Sequence, residues 1–185
     1  MLNRLKNHIC YQIGAIDRCP DSGKTWRNEI TPFLENMGII VFNPLKKPMT
    51  IGLEDDDNRS TRQKLKQSGK FDEFSKIMKS IRHADLRMVD KCDFVICYID
   101  LDIFAFGTIE EMTICNKTKK PILMVCRQGK LAIPDWAWAM IPHQMMFDTM
   151  HELLEYVRHI NGSPEINDLG RWIFFNYDNK NETLV

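Results

Sequence analysis

Three observations predict an α/β chain built on a parallel sheet. Short, mostly apolar runs recur at Ile9–Ala15, Ile39–Phe42, Phe94–Ile99, Pro121–Cys126 and Met145–Phe147. Segments with apolar residues at helical spacing separate most of them. The runs lack the alternation of a strand with one wet face, so each reads as a strand buried on both sides, which requires helices above and below the sheet. Five such units suit a flavodoxin-like, doubly wound, five-stranded parallel sheet. In that architecture ligands bind outside the carboxyl ends of the strands, near the point where strand order reverses.

The elements follow in order. Ile9–Ala15 reads as a first strand ended by Gly14. Asp21-Ser22-Gly23 is a turn and cap signal. Trp26, Ile30, Phe33, Leu34 and Met37 then recur as one helix face, with Pro32 inside it and Gly38 as its stop. Ile39–Phe42 is a second strand closed by Asn43-Pro44. Residues 45–69 have no clean period and read as a loop insertion, with a short helix at 59–67 and its charges forming a solvated surface. Phe71, Phe74, Ile77, Met78, Ile81 and Leu86 mark a helix before the third strand, Asp93–Asp100. Gly107-Thr108 opens a helix running to about Thr118. Pro121–Cys126 is the fourth strand, and the apolar stretch Trp136–Ile141 has no clear assignment. Met145–Phe147 gives a short fifth strand, and Asp148-Thr149 caps a last helix carrying Leu153, Leu154, Val157 and Ile160. The reading therefore has one domain over residues 1–162 and a tail over 163–185 with a strand-like aromatic piece, Trp172–Phe175.

Composition excludes several classes. The 185 residues hold 25 Lys plus Arg and 25 Asp plus Glu, for a formal net charge of zero. A general nucleic-acid polymer or membrane-surface binder needs an excess of positive charge. No apolar run approaches the roughly 20 residues of a membrane span. Met1–Lys6 lacks the apolar core of a secretory signal, and a cytoplasmic location is expected. The six cysteines form no CxxC pair and sit mostly in apolar segments, so they read as reduced core residues. No histidine spacing completes a zinc site with them.

The strand-end rule points to Tyr11–Asp17, Asn43, Asp100–Gly107 and the helix after Gly107. Acids gather there: Asp17, Asp21, Asp85, Asp100, Asp102, Glu110 and Glu111. Gly107-Thr108-Ile109-Glu110-Glu111 sets carboxylates on the first turn of a helix, where the positive end of the macrodipole keeps them ionised. An ionised carboxylate is what nucleophilic attack needs. The same residues are also ordinary first-turn acids, favourable by about 0.3–1 kcal/mol. Paired carboxylates around a sugar are the usual equipment for cleaving glycosidic bonds. There is no GxGxxG fingerprint and no Walker loop, since Gly14 stands alone and Ser22-Gly23-Lys24-Thr25 lacks the upstream glycine.

The motif series resembles the nucleoside 2-deoxyribosyltransferase superfamily, whose members include deoxyribosyltransferases and nucleoside 5'-monophosphate N-glycosidases. It comprises Tyr11-Gln12-Ile13-Gly14-Ala15-Ile16-Asp17, Asp21-x-Gly23-x-x-Trp26-Arg27 and Asn43-Pro44. It continues with Asp85-Leu86-Arg87-x-Val89-Asp90-x-x-Asp93-Phe94-Val95-Ile96, Gly107-Thr108-x-x-Glu111 and Lys120-Pro121-Ile122. The resemblance spans roughly residues 9–126, in the family's order.

It implies that Glu111 is the nucleophile, attacking the anomeric carbon to form a glycosyl ester. A second base then takes the sugar in a transferase, or water takes it in a hydrolase. Tyr11 is implied to orient Glu111, and Asp85 to contact the base and help its protonation on leaving. Gly14, Asp17, Arg27, Asn43, Asp100, Gly107 and Thr108 are the implied substrate contacts. No cofactor and no metal are implied. The expected partners are a nucleoside or nucleotide, with a free base as acceptor in a transferase, and the family generally assembles as homo-oligomers. In some members a C-terminal segment completes a neighbour's site, a role that Arg171–Asn176 would suit, or else this segment packs on its own domain.

One departure stands out. Many transferases carry a carboxylate two residues before the motif glycine, where this chain has Ala105. Asp17 and Asp21 are then either its replacement or turn caps. Arg18, Arg27, Arg59 and Arg62 are candidate phosphate ligands, and Trp26, Trp136 and Trp138 candidates for stacking on a base. A non-catalytic nucleotide-binding module is the alternative from another class.

Overall fold

The computed structural model describes residues 2–47, 56–164 and 169–175. Part of the 45–69 insertion and the tail from Asn176 onward lie outside the described residues.

Five strands form one all-parallel sheet in the order β2-β1-β3-β4-β5. They are β1 (Ile9–Gly14), β2 (Ile40–Phe42), β3 (Phe94–Ile99), β4 (Ile122–Cys126) and β5 (Met146–Phe147). This is the flavodoxin-like order, and its switch point falls between β1 and β3. Register there pairs Tyr11 with Val95 and Gly14 with Tyr98, so both strands end at the same edge. Residues 94–97 and 122–126 are buried throughout, as wholly apolar strands require in a doubly covered sheet.

The described residues form six α-helices around the sheet: α1 (Lys24–Asn36), α2 (Asp56–Gln67), α3 (Phe71–Lys91), α4 (Phe106–Lys117), α5 (Asp135–Met140) and α6 (Met150–Gly162). The α1 pattern buries Trp26, Ile30 and Leu34, with Phe33 and Met37 packed beside them. Gly38 follows with φ +75°. Thr149 caps α6 by accepting from the Glu152 amide at 3.2 Å, and Leu153, Val157 and Ile160 face the core. Lys120 closes α3: its ammonium donates to the carbonyls of Val89 and Asp90 at 2.6 and 2.8 Å, and to that of Cys92. A cation there complements the negative end of the helix.

Three expectations change. The Trp136–Ile141 stretch resolves into the short helix α5, with Trp136 exposed rather than in the core. The insertion carries a fuller helix than 59–67, and its charges are not all solvated, because Arg62 is buried and Arg59 half-buried. Residues 172–175 form a turn, not a strand. Trp172 is buried, 5.5 Å from Phe94 and stacked on Phe175 at 5.8 Å. Phe94 opens β3, so the described tail packs on its own domain at the amino end of the sheet, opposite the site. Five of the six cysteines are buried and all are free thiols, as their apolar settings predict. Among the described residues, no helix is long and apolar enough to cross a membrane.

Candidate active site

At the carboxyl edge of β1 and β3 lies a cavity of about 760 Å³. Tyr11 from β1, Asp85 from α3, and Gly107, Thr108 and Glu111 from α4 all line it. Tyr11 points across the sheet edge, and its hydroxyl donates to Glu111 Oε1 at 2.7 Å, a buried contact between residues 100 apart in sequence. Glu111 is itself buried, 9% exposed. A buried carboxylate needs strong hydrogen bonds to stay charged, and a phenol donor supplies one.

The helix geometry corrects one expectation. Helix α4 begins at Phe106, so Glu110 and Glu111 fall in its second turn and no acid occupies the first. The macrodipole acts within the first turn, so Tyr11 rather than the helix end is what holds Glu111. Neighbouring Glu110 points elsewhere, accepting from Arg82 Nε at 2.9 Å and again from its terminal nitrogen. The Arg82 guanidinium holds Glu110 below the usual carboxylate range. One glutamate is thus engaged by an exposed arginine and the other by a buried phenol. Thr108 lies one turn before Glu111 on the same buried face. A Cβ at Gly107 would meet nothing within 4 Å, so this turn leaves open space for whatever binds.

Asp85 forms an ion pair with Lys47, Nζ to Oδ1 at 2.8 Å, with only 1% of the lysine side chain and 15% of the aspartate side chain exposed. Sequence reasoning missed Lys47. No motif marks a lysine whose partner lies 38 residues away on a helix.

Other implied contacts do different work. Arg27 lines the cavity but is fully buried, and its guanidinium donates to the Gly23 and Gly14 carbonyls at 2.9 and 3.0 Å. It clamps the end of β1 to the start of α1. A Cβ on Gly14 would sit 2.8 Å from the Tyr98 carbonyl and 3.1 Å from the Trp26 ring, so close strand packing demands glycine there. Asn43 does not line the cavity; its Oδ1 accepts from the Leu45 amide at 2.9 Å and starts the 3-10 turn Pro44–Lys46. Asp100 faces a separate cavity of about 440 Å³. There it binds Arg127 Nε at 2.8 Å and Gln128 Nε2 at 2.8 Å. Burial opposes its charge, but the Gln128 and Arg127 hydrogen bonds hold it below the usual carboxylate range.

Asp21 is a turn cap, accepting from the amides of Gly23 at 2.8 Å and Thr25 at 2.9 Å. The Cys19 thiol and Thr25 lower its pKa far below the usual range. Asp17 does line the cavity, largely exposed, 3.6 Å from Arg62. Trp26 packs against Tyr98 beside the second cavity, and neither Trp136 nor Trp138 lines either cavity. The main cavity's aromatic walls are instead Phe74, Phe104 and Phe106, with Phe104 and Phe106 63% and 75% exposed. Helix α2 adds Arg59, Arg62 and Lys66 to the wall, a spacing that keeps one helix face on the cavity.

No protein-family model matches the chain, and no curated protein matches it as a relative.

Proposed function

We propose that this chain is an N-glycosyl transferase of nucleoside 2-deoxyribosyltransferase type, acting on a (deoxy)nucleoside through Glu111. The observation that carries this reading is the buried Tyr11–Glu111 hydrogen bond of 2.7 Å on the wall of a cavity large enough for a nucleoside. A carboxylate fixed in one orientation by a phenol is suited to attack a sugar's anomeric carbon.

In the first step a Glu111 oxygen forms a bond to C1' as the C1'–N bond breaks. The electron pair leaves with the base, which takes up a proton from water. In the second step a nitrogen of an incoming base attacks C1' and expels Glu111 as a carboxylate, and the incoming base releases its N–H proton to water. Two inversions give net retention, and the ester divides one hard displacement into two easier ones. Tyr11 keeps Glu111 aimed through both steps. Asp85 faces the base, and the exposed rings of Phe104 and Phe106 offer stacking surfaces.

A hydrolase acting on nucleoside 5'-monophosphates is the second reading, favoured by Arg18, Arg59, Arg62 and Lys66 on the cavity wall. Guanidinium groups are suited to phosphate oxygens.

The test is a mass-spectrometric assay of the wild type and Glu111→Gln. Each is incubated with deoxynucleosides and their monophosphates, with and without a second free base. A new nucleoside that needs both the added base and Glu111 establishes the transferase. Free base with free sugar or sugar phosphate, indifferent to the added base, establishes the hydrolase. Equal inertness of both proteins, with nucleotide binding retained, would make the chain a binding module and overturn the catalytic reading.

A further inference from the structure

Lys47 is the most unusual group near the cavity that the proposed chemistry leaves unused. Its side chain is 1% exposed, and its ammonium sits 2.8 Å from Asp85 Oδ1. The chain takes pains to put it there. Asn43 caps the turn, Pro44 supplies its first residue, and Lys47 follows in an extended conformation. Burying an ammonium and a carboxylate costs several kcal/mol of desolvation each, and a well-packed apolar pair stabilises a fold at least as well. Stability alone is therefore a weak reason for the pair. Its position supplies a better one, because Asp85 stands on the wall of the cavity that holds Glu111. Arg82, also on α3, is engaged by Glu110. Lys47 directly engages Asp85.

We propose that Lys47 is a positioning residue for the departing base, fixing Asp85 as an ion-paired carboxylate that accepts a hydrogen bond from a ring N–H. This rests on the reading of the site as an N-glycosyl transferase or hydrolase. A carboxylate only accepts, whereas its protonated form would donate. An acceptor at that place favours the base in its N-protonated form, the proton coming from water. The C1'–N bond then breaks with its electron pair going to the base, which leaves as a neutral molecule while Glu111 takes C1'. Without Lys47, Asp85 loses the ion-pair partner that fixes its position, and the base loses its aligned acceptor.

The experiment compares two substrates. One is a deoxynucleoside, whose base needs this help. The other is a 2-deoxyribosyl fluoride, whose leaving group does not. K47M should lose about 10- to 100-fold in kcat/KM on the deoxynucleoside, yet stay within about 3-fold of wild type on the fluoride. K47R should recover most of the lost rate. Where K47M fails to fold, Lys47→Gln takes its place with the same two readings. Equal loss on both substrates would make Lys47 a structural tether, and no loss on the deoxynucleoside would make it irrelevant; either overturns the proposal. Failure of the underlying reading looks different, because wild type and Glu111→Gln would then be equally inert on both substrates.

Discussion

Tyr11 and Glu111 are bound by a hydrogen bond whose loss can be measured directly. Tyr11→Phe removes one oxygen from a buried aromatic residue and leaves its packing in place. A hydrogen bond to a charged group contributes about 1.5–3 kcal/mol, and each 1.4 kcal/mol is a factor of ten in rate. Tyr11→Phe should therefore lower kcat about 10- to 100-fold with little change in KM, read by steady-state kinetics on the substrate found active. Glycine positions give the opposite kind of residue, one whose value lies in the missing Cβ. Gly23 has φ +68°, and a Cβ there would lie 2.2 Å from Arg27 Nη1 and 2.6 Å from the Ala15 carbonyl. Gly23→Ala meets both backbone strain and the displaced clamp of Arg27, so a loss of about 2–4 kcal/mol is expected. Urea unfolding monitored by Trp fluorescence checks it, and a variant as stable as wild type would contradict the clamp assigned to Arg27.

At the scale of elements, the sheet and most helices were legible because their signals are local. Short apolar runs such as Phe94–Ile99, bounded by turn signals, suit strands covered on both sides, and the 26, 30, 34 spacing of α1 appears unchanged in its buried face. Elements with little apolar content were harder. Helix α2 has one leucine among twelve mostly polar residues. Its sequence resembles a solvated loop, yet Arg62 is buried and Arg59 donates to the Cys19 carbonyl at 3.1 Å and the Ser22 hydroxyl at 3.3 Å. The site divides in the same way. Tyr11, Asp85 and Glu111 were singled out because each belongs to a short motif, and the structure brings all three to one cavity. The Lys47–Asp85 pair was invisible because its partners come from separate segments. Asn43 was misjudged because a turn cap and a ligand contact look alike in sequence. The placement of α2 makes a prediction of its own. If its cations hold a phosphate, Arg59→Ala and Lys66→Ala should raise KM for nucleoside monophosphates about 10-fold each while leaving unphosphorylated nucleosides nearly unaffected. Equal effects on both substrate classes would restrict α2 to a structural role.

Across the whole molecule, the two edges of the sheet hold different groups. The carboxyl edge holds the cavity, and the amino edge holds the chain together through Asp93. Asp93 Oδ2 accepts from the Ile9 amide at 2.7 Å and contacts His8 Nδ1 at 3.2 Å, joining the starts of β1 and β3. Burial opposes the charge on Asp93, but the hydrogen bonds from His8 and Ile9 outweigh it and hold its pKa below the usual value. A carboxylate whose folded pKa is depressed stabilises the native state above its unfolded pKa, about 3.9, and that contribution is lost as pH falls through the folded value. Asp93→Asn should therefore cost about 1–3 kcal/mol at pH 7, the range for a hydrogen bond to a charged group and the penalty of weakening it. The gap between the two proteins should narrow below pH 4 as the wild-type carboxyl takes up its proton. Urea midpoints at pH 7, 5 and 3 read that convergence directly. Because Asp93 lies at the far edge from Tyr11, Asp85 and Glu111, the turnover of the folded fraction should stay at the wild-type level. A gap that stayed constant with pH would show that Asp93 contributes packing rather than charge. A fall in turnover per folded molecule would show that the two edges are coupled through β1, the strand that carries both Ile9 and Tyr11 across the sheet.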